Sequence, residues 1–419
     1  MRTKPLLGPL LLFVILAGCT SNSTNSGDPE PFEPRELPRS LTESETNLVH
    51  QTGQFGFRLI RNLATENPQK NHLISPLSIQ MAYGMAMNGA NGDTYTQIRD
   101  TFGFQDMSRE EINESAKSLL ELLVGFDENV TINVANSIWY RDSFSVEQEF
   151  LQTNETYYGA SVTPADFSDP ATVGLINGWV AENTEGLIEN IVTKIDPLMM
   201  MYLLNAVYFQ GDWTYPFDPE NTEKEPFRLA AGSSVEAEMM HLEEQENMYY
   251  KEGEDYRAVN LYYGDAGFAM TMVLPVEDIS VTEWLETVNW EKWQQVTSGF
   301  REVNLTLTMP KFEMKYEIDR FKQVLKALGI RDAFEPTAAD FSRINPDETD
   351  LHISDTRHKT FIKVDEKGTE AAAVTSVGIE TTSEPQSREI RFDRPYFYVI
   401  REVESGSVLF MGIMQNPVE

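Results

Sequence analysis

Cysteine and histidine are scarce in this 419-residue chain, and basic residues are outnumbered by acidic ones. The single cysteine, Cys19, excludes an intramolecular disulfide, and with only five histidines the chain is not expected to hold a metal or another cofactor. Lysine and arginine number 33 against 66 acidic residues, and the net charge of −33 argues against nucleic-acid binding because phosphate would be repelled. Hydrophobic residues make up 41% of the chain, which excludes a wholly disordered protein.

Motifs of several common enzyme classes are also missing. The chain has no Gly-x-Ser-x-Gly elbow, no glycine-rich phosphate loop and no His-Glu-x-x-His helix. We therefore predict that the protein is not an enzyme.

The N-terminus has the features of an export signal. Arg2 and Lys4 precede an apolar run at residues 10–16 that is too short to span a bilayer, and small residues then lead to Cys19. This order resembles a prokaryotic lipobox, although an ordinary secretory signal followed by a stray cysteine would look similar. We predict a lipoprotein signal peptide at residues 1–18, lipidation of Cys19, a flexible tether at residues 19–47 and a folded domain at residues 48–419. The domain would then be secreted and held by lipid at the cell surface or at a periplasm-facing membrane of a prokaryote.

The sequence from residue 48 onward has no second linker and no repeat, which favours one domain. Apolar spacing predicts a helix over residues 51–65, and Ser75 with Pro76 predicts the start of a second helix that covers residues 79–88. Short β-branched or aromatic runs predict strands at residues 130–139, 201–208, 268–274, 303–309, 360–364, 396–403 and 408–411. Because helices alternate with strands early and strands crowd together late, we predict an α+β fold with mixed or antiparallel sheets.

A late segment, residues 366–385, has an unusual composition. Positions 369, 371, 373, 375, 377 and 379 are all small or apolar, whereas the alternate positions are more polar, as in a half-buried strand. Gly368 offers a flexible start, and no proline interrupts the pattern before Pro385. The segment could therefore exist as an exposed loop or as an inserted strand. A long hairpin loop, or an alanine-rich helix from Thr369 to Val377, fits the composition at least as well.

Short motifs follow one another in a fixed order along the domain. They are NHLISPLSI at residues 71–79, GANGDT at 89–94, NGWVAENTEG at 177–186, NAVYFQGDW at 205–213, MPKF at 309–312, LGI at 328–330, DFS at 340–342, EKGTEAAA at 366–373, DRPYF at 393–397 and LFMG at 409–412. Each motif is weak alone, but together, in this order and spacing, they resemble the serpin family over nearly the whole domain.

The resemblance implies a serpin fold, which is a single domain with a large central mixed β-sheet, further β-sheets, surrounding helices and an exposed reactive-centre loop. It implies a suicide-substrate inhibitor of serine proteases, or of cysteine proteases, that acts as a monomer. The protease forms an acyl-enzyme with the loop, and the cleaved loop inserts into the central sheet before deacylation. The alternative is a non-inhibitory serpin that acts as a chaperone or carrier, although such members typically have bulky or charged hinge residues that this chain lacks.

The resemblance also assigns site residues. The hinge would comprise Glu366, Gly368, Thr369, Glu370, Ala371, Ala372 and Ala373. Ser75, Ser78, Asn205 and His358 match the hydrogen-bonded cluster that lets the central strands part, and Lys311 with Glu366 matches a salt bridge at the top of the sheet. Trp213 matches an aromatic residue packed beneath that opening. A plain core tryptophan and a satisfied core histidine would give the same pattern at positions 213 and 358.

The scissile bond of the family usually follows the sixteenth residue after the hinge glutamate, which gives Thr382–Ser383 here. Counting back from Pro395 instead lands nearer Glu384. A threonine before the bond suits the small apolar pocket of elastase-like or subtilisin-like proteases. A trypsin-like target is disfavoured because the nearest arginine, Arg388, lies well past this bond.

Overall fold

Polar side chains define where the first helices begin. The structure, a computed structural model, describes residues 34–196, 198–369 and 388–419. Thr42 and Glu45 form a capping box at the start of α1 (Glu43–Glu66), and Ser75 caps α2 (Pro76–Gly89), whose first residue is a proline. The other helices of the described residues are α3 (Gly92–Phe102), α4 (Arg109–Leu123), α5 (Gln148–Tyr158), α6 (Ala171–Asn183), α7 (Val281–Glu286), α8 (Trp290–Thr297) and α9 (Phe321–Leu328).

Helix α1 begins nearer the N-terminus than the apolar spacing predicted. It starts at Glu43, so the predicted end of the tether at residue 47 falls inside a helix and is wrong. Leu37 is already buried, and Arg39 donates two hydrogen bonds, of 2.8 and 2.6 Å, to the carboxylate of the buried Glu45. These contacts make the residues just before position 48 part of the compact unit Glu33–Glu419.

The strands form two sheets, and the larger one supplies most of the core. The strands are β1 (His72–Ile74), β2 (Val130–Arg141), β3 (Ser161–Ala165), β4 (Met201–Asp212), β5 (Glu223–Arg228), β6 (Ser234–Glu252), β7 (Tyr256–Tyr263), β8 (Phe268–Pro275), β9 (Arg301–Pro310), β10 (Phe312–Glu317), β11 (Lys359–Val364), β12 (Gly368–Thr369), β13 (Arg388–Arg391), β14 (Tyr396–Glu402) and β15 (Val408–Met414). The larger sheet has the order β1-β15-β14-β8-β7-β6-β9-β13, and β5 pairs with β6. This sheet is mixed, because β13 runs parallel to β9 whereas all other strand pairs of the sheet are antiparallel.

The second sheet has six strands in the order β10-β11-β12-β4-β2-β3. It is also mixed, because β2 and β3 are parallel whereas the other pairs are antiparallel. The described part of its third strand, β12, is Gly368–Thr369, which directly precedes residues 370–387, whereas its neighbours β11 and β4 have six and twelve residues. The predicted α+β class and the predicted strands are confirmed, and β12 marks the candidate site.

The core lies around the larger sheet. Strands β8 and β15 are buried at every position, which explains why their sequences are apolar throughout rather than alternating. Helix α2 packs closely because a Cβ on its Gly84 would lie 2.3 Å from the hydroxyl of Tyr158, so only glycine fits there. A smaller apolar cluster lies under α6 and includes Trp139, Ile176 and Leu204. Across the described ranges, none of the helices combines the length and apolarity that crossing a membrane requires.

Candidate functional site

Among the described residues, the six-stranded sheet is incomplete between β11 and β4. Strand β12 fills this space at one end only, where Thr369 pairs with Gly211 on one side and with Val364 on the other. Beyond this pairing β4 continues back to Met201 and β11 back to Lys359, and no described residue lies between them as a strand. Within the part of the chain that the structure describes, the two strand edges therefore face each other across a gap, and an unpaired edge is a ready template for another strand.

Gly368 allows β12 to enter the sheet. A Cβ at this position would lie 2.1 Å from the carbonyl oxygen of Gly211 and 2.7 Å from the Cα of Asp212. Both atoms belong to the backbone of β4, so they cannot move away as a flexible side chain would. The glycine that the sequence predicted as a flexible pivot is thus also required by close packing.

An ion pair lies just before β12, at the closed end of the gap. Lys311 donates to the two carboxylate oxygens of Glu366 at 3.2 and 2.8 Å, and Thr222 donates to the same carboxylate at 2.9 Å. Burial acts to raise the pKa of Glu366, but the hydrogen bonds from Lys311 and Thr222 outweigh it and lower the pKa. The hydrogen bond to Glu366 in turn raises the pKa of Lys311. The structure thus brings the predicted pair together, whereas its part in insertion stays a prediction.

Aromatic residues hold the same end of the gap from beneath. The Trp213 ring stacks on Tyr263 with 4.4 Å between ring centroids, and its Nε1 donates to the backbone oxygen of Asp365 at 2.9 Å. The backbone N–H of Trp213 donates to the oxygen of Lys367 at 2.7 Å. The hydroxyls of Tyr263 and Thr369 are 2.8 Å apart in a buried hydrogen bond, which shows that the side chain of Thr369 points into the protein.

The four residues of the predicted polar cluster meet beneath the middle of the gap. The backbone N–H of Ser75 donates to Nε2 of His358 at 3.0 Å, and the N–H of Ser78 donates to the hydroxyl of Ser75 at 3.2 Å. The hydroxyl of Ser78 donates to the side-chain oxygen of Asn205. Burial lowers the pKa of His358 to about 3, so the ring is neutral and its proton lies on Nδ1.

Sequence reasoning missed one member of this cluster. Asn136, on β2, accepts a 2.8 Å hydrogen bond from the side-chain amide of Asn205 and donates one of 2.7 Å to the backbone oxygen of Tyr158. It is 2% exposed. Because its strand β2 also contains Thr131, Asn133 and Ser137, no single polar residue stands out in the sequence there. Only its burial shows that the Asn136 amide needs hydrogen-bond partners.

The gap differs between its two halves. Near β12, Ile188, Val207 and Phe361 help to line a space of only about 10 Å³. Farther from β12, a cavity of about 720 Å³ opens between the first residues of β4, the segment that leads into β11, and α2. Three members of the polar cluster, Ser78, Asn205 and His358, line this larger cavity.

The chain rejoins the larger sheet at β13, and eighteen residues separate the end of β12 from its start. Arg391 forms an ion pair with Glu225 and donates to the hydroxyl of Thr308 at 3.2 Å. No local pattern predicted this anchor, because its partners are distant in the chain. The predicted Glu370, Ala371, Ala372, Ala373, Thr382 and Ser383, like Cys19, lie outside the described residues.

Proteins of known family resemble this chain over most of its length. The family model described as Serpin (serine protease inhibitor) matches residues 50–417. The chain belongs to the serpin family. Neuroserpin of Homo sapiens is 30% identical over 390 residues, which cover 90% of this chain and 94% of neuroserpin. The native-state crystal structure of tengpin, a thermophilic serpin, matches with a TM-score of 0.81 and 32% identity over 92% of this chain and 97% of tengpin. Human thyroxine-binding globulin matches with a TM-score of 0.80 and 28% identity over 90% of this chain and all of its own.

These matches confirm the predicted serpin fold. The family includes many protease inhibitors and some non-inhibitory members such as thyroxine-binding globulin. Serpins are inhibitors or non-enzymatic carriers, so this serpin is not an enzyme. Serpin relatives are mostly secreted.

Proposed function

We propose that this serpin is a monomeric suicide-substrate inhibitor of serine proteases. The observation that carries the proposal is that, among the described residues, the edges of β4 and β11 face each other beyond the pairing of Thr369. A protease that cleaves the loop after β12 would free it to continue β12 into this gap. The protease, still bound to the loop as an acyl-enzyme, would move with the inserting strand before water could hydrolyse the acyl bond. The new backbone hydrogen bonds between the inserted loop and its neighbouring strands would stabilise the product.

The register of β12 supports this path. Thr369 is buried and pairs with Gly211, so continuing the strand turns Ala371, Ala373, Thr375, Val377 and Ile379 inward as well. These are the small or apolar positions of the period-two pattern. The strand edge of β4 runs ten residues beyond Gly211, to Met201, and so offers partners for residues 370–379.

The same register brings a polar residue to the polar cluster. Thr369 pairs with Gly211 on β4 and with Val364 on β11. Continuing both antiparallel registers by six residues places Thr375 opposite Asn205 on one side and His358 on the other. The hydroxyl of Thr375 would thus enter beside the two side chains that meet beneath the gap. An inward polar group is tolerated only where it finds hydrogen-bond partners, which this level of the sheet provides.

We assign the reactive bond to Thr382–Ser383, three residues past the last partner on β4. Threonine before the bond points to elastase-like or subtilisin-like targets. Pancreatic elastase, subtilisin and trypsin are to be incubated with the protein, and the cut mapped by mass spectrometry. A complex that survives SDS, with cleavage after Thr382, is the expected result for one of the first two proteases. A stable complex with trypsin cleaved after Arg388 would contradict the assigned bond.

Two variants test insertion itself. Ala373→Arg places a charge on the inward face, where burial of an unpaired charge is costly, so the loop should be cleaved without trapping the protease. Ala372→Arg places the same charge on the outward face and should still form the complex. Equal trapping by both variants would refute the proposed register.

Heat stability separates this proposal from a carrier. Insertion would add backbone hydrogen bonds for ten residues, each worth about 1 kcal/mol. At about 2 °C per kcal/mol, the melting temperature should rise by roughly 20 °C after cleavage. The similarity to thyroxine-binding globulin favours a non-inhibitory carrier as the second candidate function. A cleaved form that melts with the intact one, and no SDS-stable complex, would support the carrier instead.

The anchor at the N-terminus remains a separate proposal. We propose that residues 1–18 are removed and that lipid on Cys19 holds the protein at a prokaryotic membrane. A Cys19→Ser variant expressed in a bacterial host should move from the membrane fraction to the soluble fraction. Equal membrane retention of both forms would contradict it.

A further inference from the structure

The larger cavity beside the gap has the size and lining of a small-molecule site. Its volume of about 720 Å³ lies within the roughly 300–1,000 Å³ of ligand pockets. Apolar side chains line it from three directions: Ile79 and Ala82 of α2, Leu203 of β4, and Phe321 and Ile353 from later in the chain. Such walls favour an apolar body.

His358 supplies one specific polar contact at the inner wall. Its side chain is 5% exposed and lines the cavity. Nε2 accepts the Ser75 N–H, so the ring proton lies on Nδ1, and within the described parts of the chain this donor has no hydrogen-bond partner. Because His358 lines the cavity, a ligand acceptor placed against its Nδ1–H would gain a hydrogen bond.

The charges at the mouth do not favour an ion. Lys194, Arg357 and Lys359 line it together with Asp196, Glu348, Asp350 and Asp355. Arg357 lies 2.9 Å from Asp355, and Lys359 lies 3.1 Å from Glu317, so two of these cations are already paired. The mouth thus has no net attraction for an anionic ligand, and Leu198, which is 82% exposed, adds an apolar surface there.

We propose that this cavity binds a neutral, largely apolar, drug-sized molecule whose single carbonyl oxygen accepts a hydrogen bond from Nδ1 of His358. The consequence for inhibition rests on the proposed function. Residues 375–379 would enter between the first residues of β4 and the segment before β11, which is the space the molecule would fill. A bound molecule would therefore slow insertion and turn the inhibitor toward being a simple substrate.

Prodan, a neutral naphthalene with one propionyl carbonyl, is a suitable probe, and equilibrium dialysis measures its binding to the intact protein. We expect one saturable site, and about three- to tenfold weaker binding of 2-(dimethylamino)naphthalene, which lacks the carbonyl. Ala82→Leu and Ile353→Trp fill the cavity from opposite walls and should each weaken Prodan binding at least tenfold. Ala171→Leu, an exposed change on α6 outside the cavity, should leave it unchanged.

The possible outcomes separate the ligand site from the proposed function. No saturable binding, or wild-type binding by both filling variants with native circular dichroism, overturns the site. Equal affinity for Prodan and its carbonyl-free analogue overturns the role of His358. Loss of binding after loop cleavage supports competition between loop and ligand. Cleaved protein that still binds Prodan and melts with the intact form supports the site while refuting loop insertion.

Discussion

His358 makes the stability of the native protein sensitive to pH above the range in which most carboxylates titrate. Its neutral ring accepts a hydrogen bond from the backbone N–H of Ser75 through Nε2. Protonation of that nitrogen would remove the acceptor and place a charge in a site that is 5% exposed. The native state therefore resists protonation, whereas the unfolded chain does not.

The magnitude follows from the two pKa values. An unfolded histidine has a pKa of about 6.5, and burial lowers the pKa of His358 to about 3. Because the folded value is the lower one, the unfolded state binds more protons below pH 6.5, and acidification destabilises the native state. From pH 7.5 to pH 5.5 the loss from this one group is about 1.4 kcal/mol, and it grows by about 1.4 kcal/mol for each further pH unit until pH 3. Burial lowers the pKa of His72 as well, so its contribution has the same sign.

The assay is the first urea unfolding transition, measured at pH 7.5 and pH 5.5. His358→Gln keeps an acceptor for Ser75 but cannot be protonated, so its pH-dependent loss should be smaller than that of the wild type by about 1.4 kcal/mol. His352→Gln, at a half-buried position outside the Ser75–His358 hydrogen bond, serves as the control. If the wild type and His358→Gln lose the same free energy of unfolding between pH 7.5 and pH 5.5, protonation of His358 is not the source of the pH dependence.

Three further predictions concern single side chains. Glu366→Gln leaves Lys311 without a counter-ion, and because Lys311 is 35% exposed the pair is worth at most about 1 kcal/mol. Native gels should show that the variant converts to an inserted, inactive form up to about fivefold faster than the wild type. An unchanged rate would argue against a role of this ion pair in the separation of β4 and β11. Gly368→Val forces a Cβ into the backbone of β4 and should cost about 1–3 kcal/mol in urea unfolding, whereas Gly178→Val, with open space around it, is the control, and equal effects would refute the packing argument. Glu45→Ala should cost about 2–3 kcal/mol at pH 7, because hydrogen bonds led by that of Arg39 lower the pKa of Glu45 to about 2; the difference from wild type should disappear as the pH falls from 4.5 toward 2, and a difference that persists there would contradict the ionic origin.

Local signals predicted much of the fold. The apolar and β-branched runs form β4, β8, β11 and β15, and each of these strands is buried or half-buried. Helix α1 was predicted eight residues too late, because apolar spacing is weak in its first turns. Thr42 and Glu45 stand three residues apart in the order of a capping box, which is a signal that could have found the correct start.

The candidate site could be predicted only where motifs supplied it. Ser75, Asn205 and His358 are far apart in sequence, and their meeting depends on how β4 and β11 frame the gap. No periodicity predicts where β12 pairs, because Gly368 and Thr369 enter a space that β4 and β11 define. The anchor at Arg391 was missed for a related reason, since its partners come from other strands of the larger sheet.

The pairing of β12 also determines which side chains of an inserted loop would face inward and which outward. Since neighbouring residues of a strand face opposite sides, removing one residue from the loop soon after Thr369 would turn every later outward side chain inward. Removing two would restore the alternation and only shorten the reach. Substitutions near the reactive bond can therefore change the target protease without altering which side chains face inward. Insertions or deletions just after Thr369 preserve that alternation only when they contain an even number of residues.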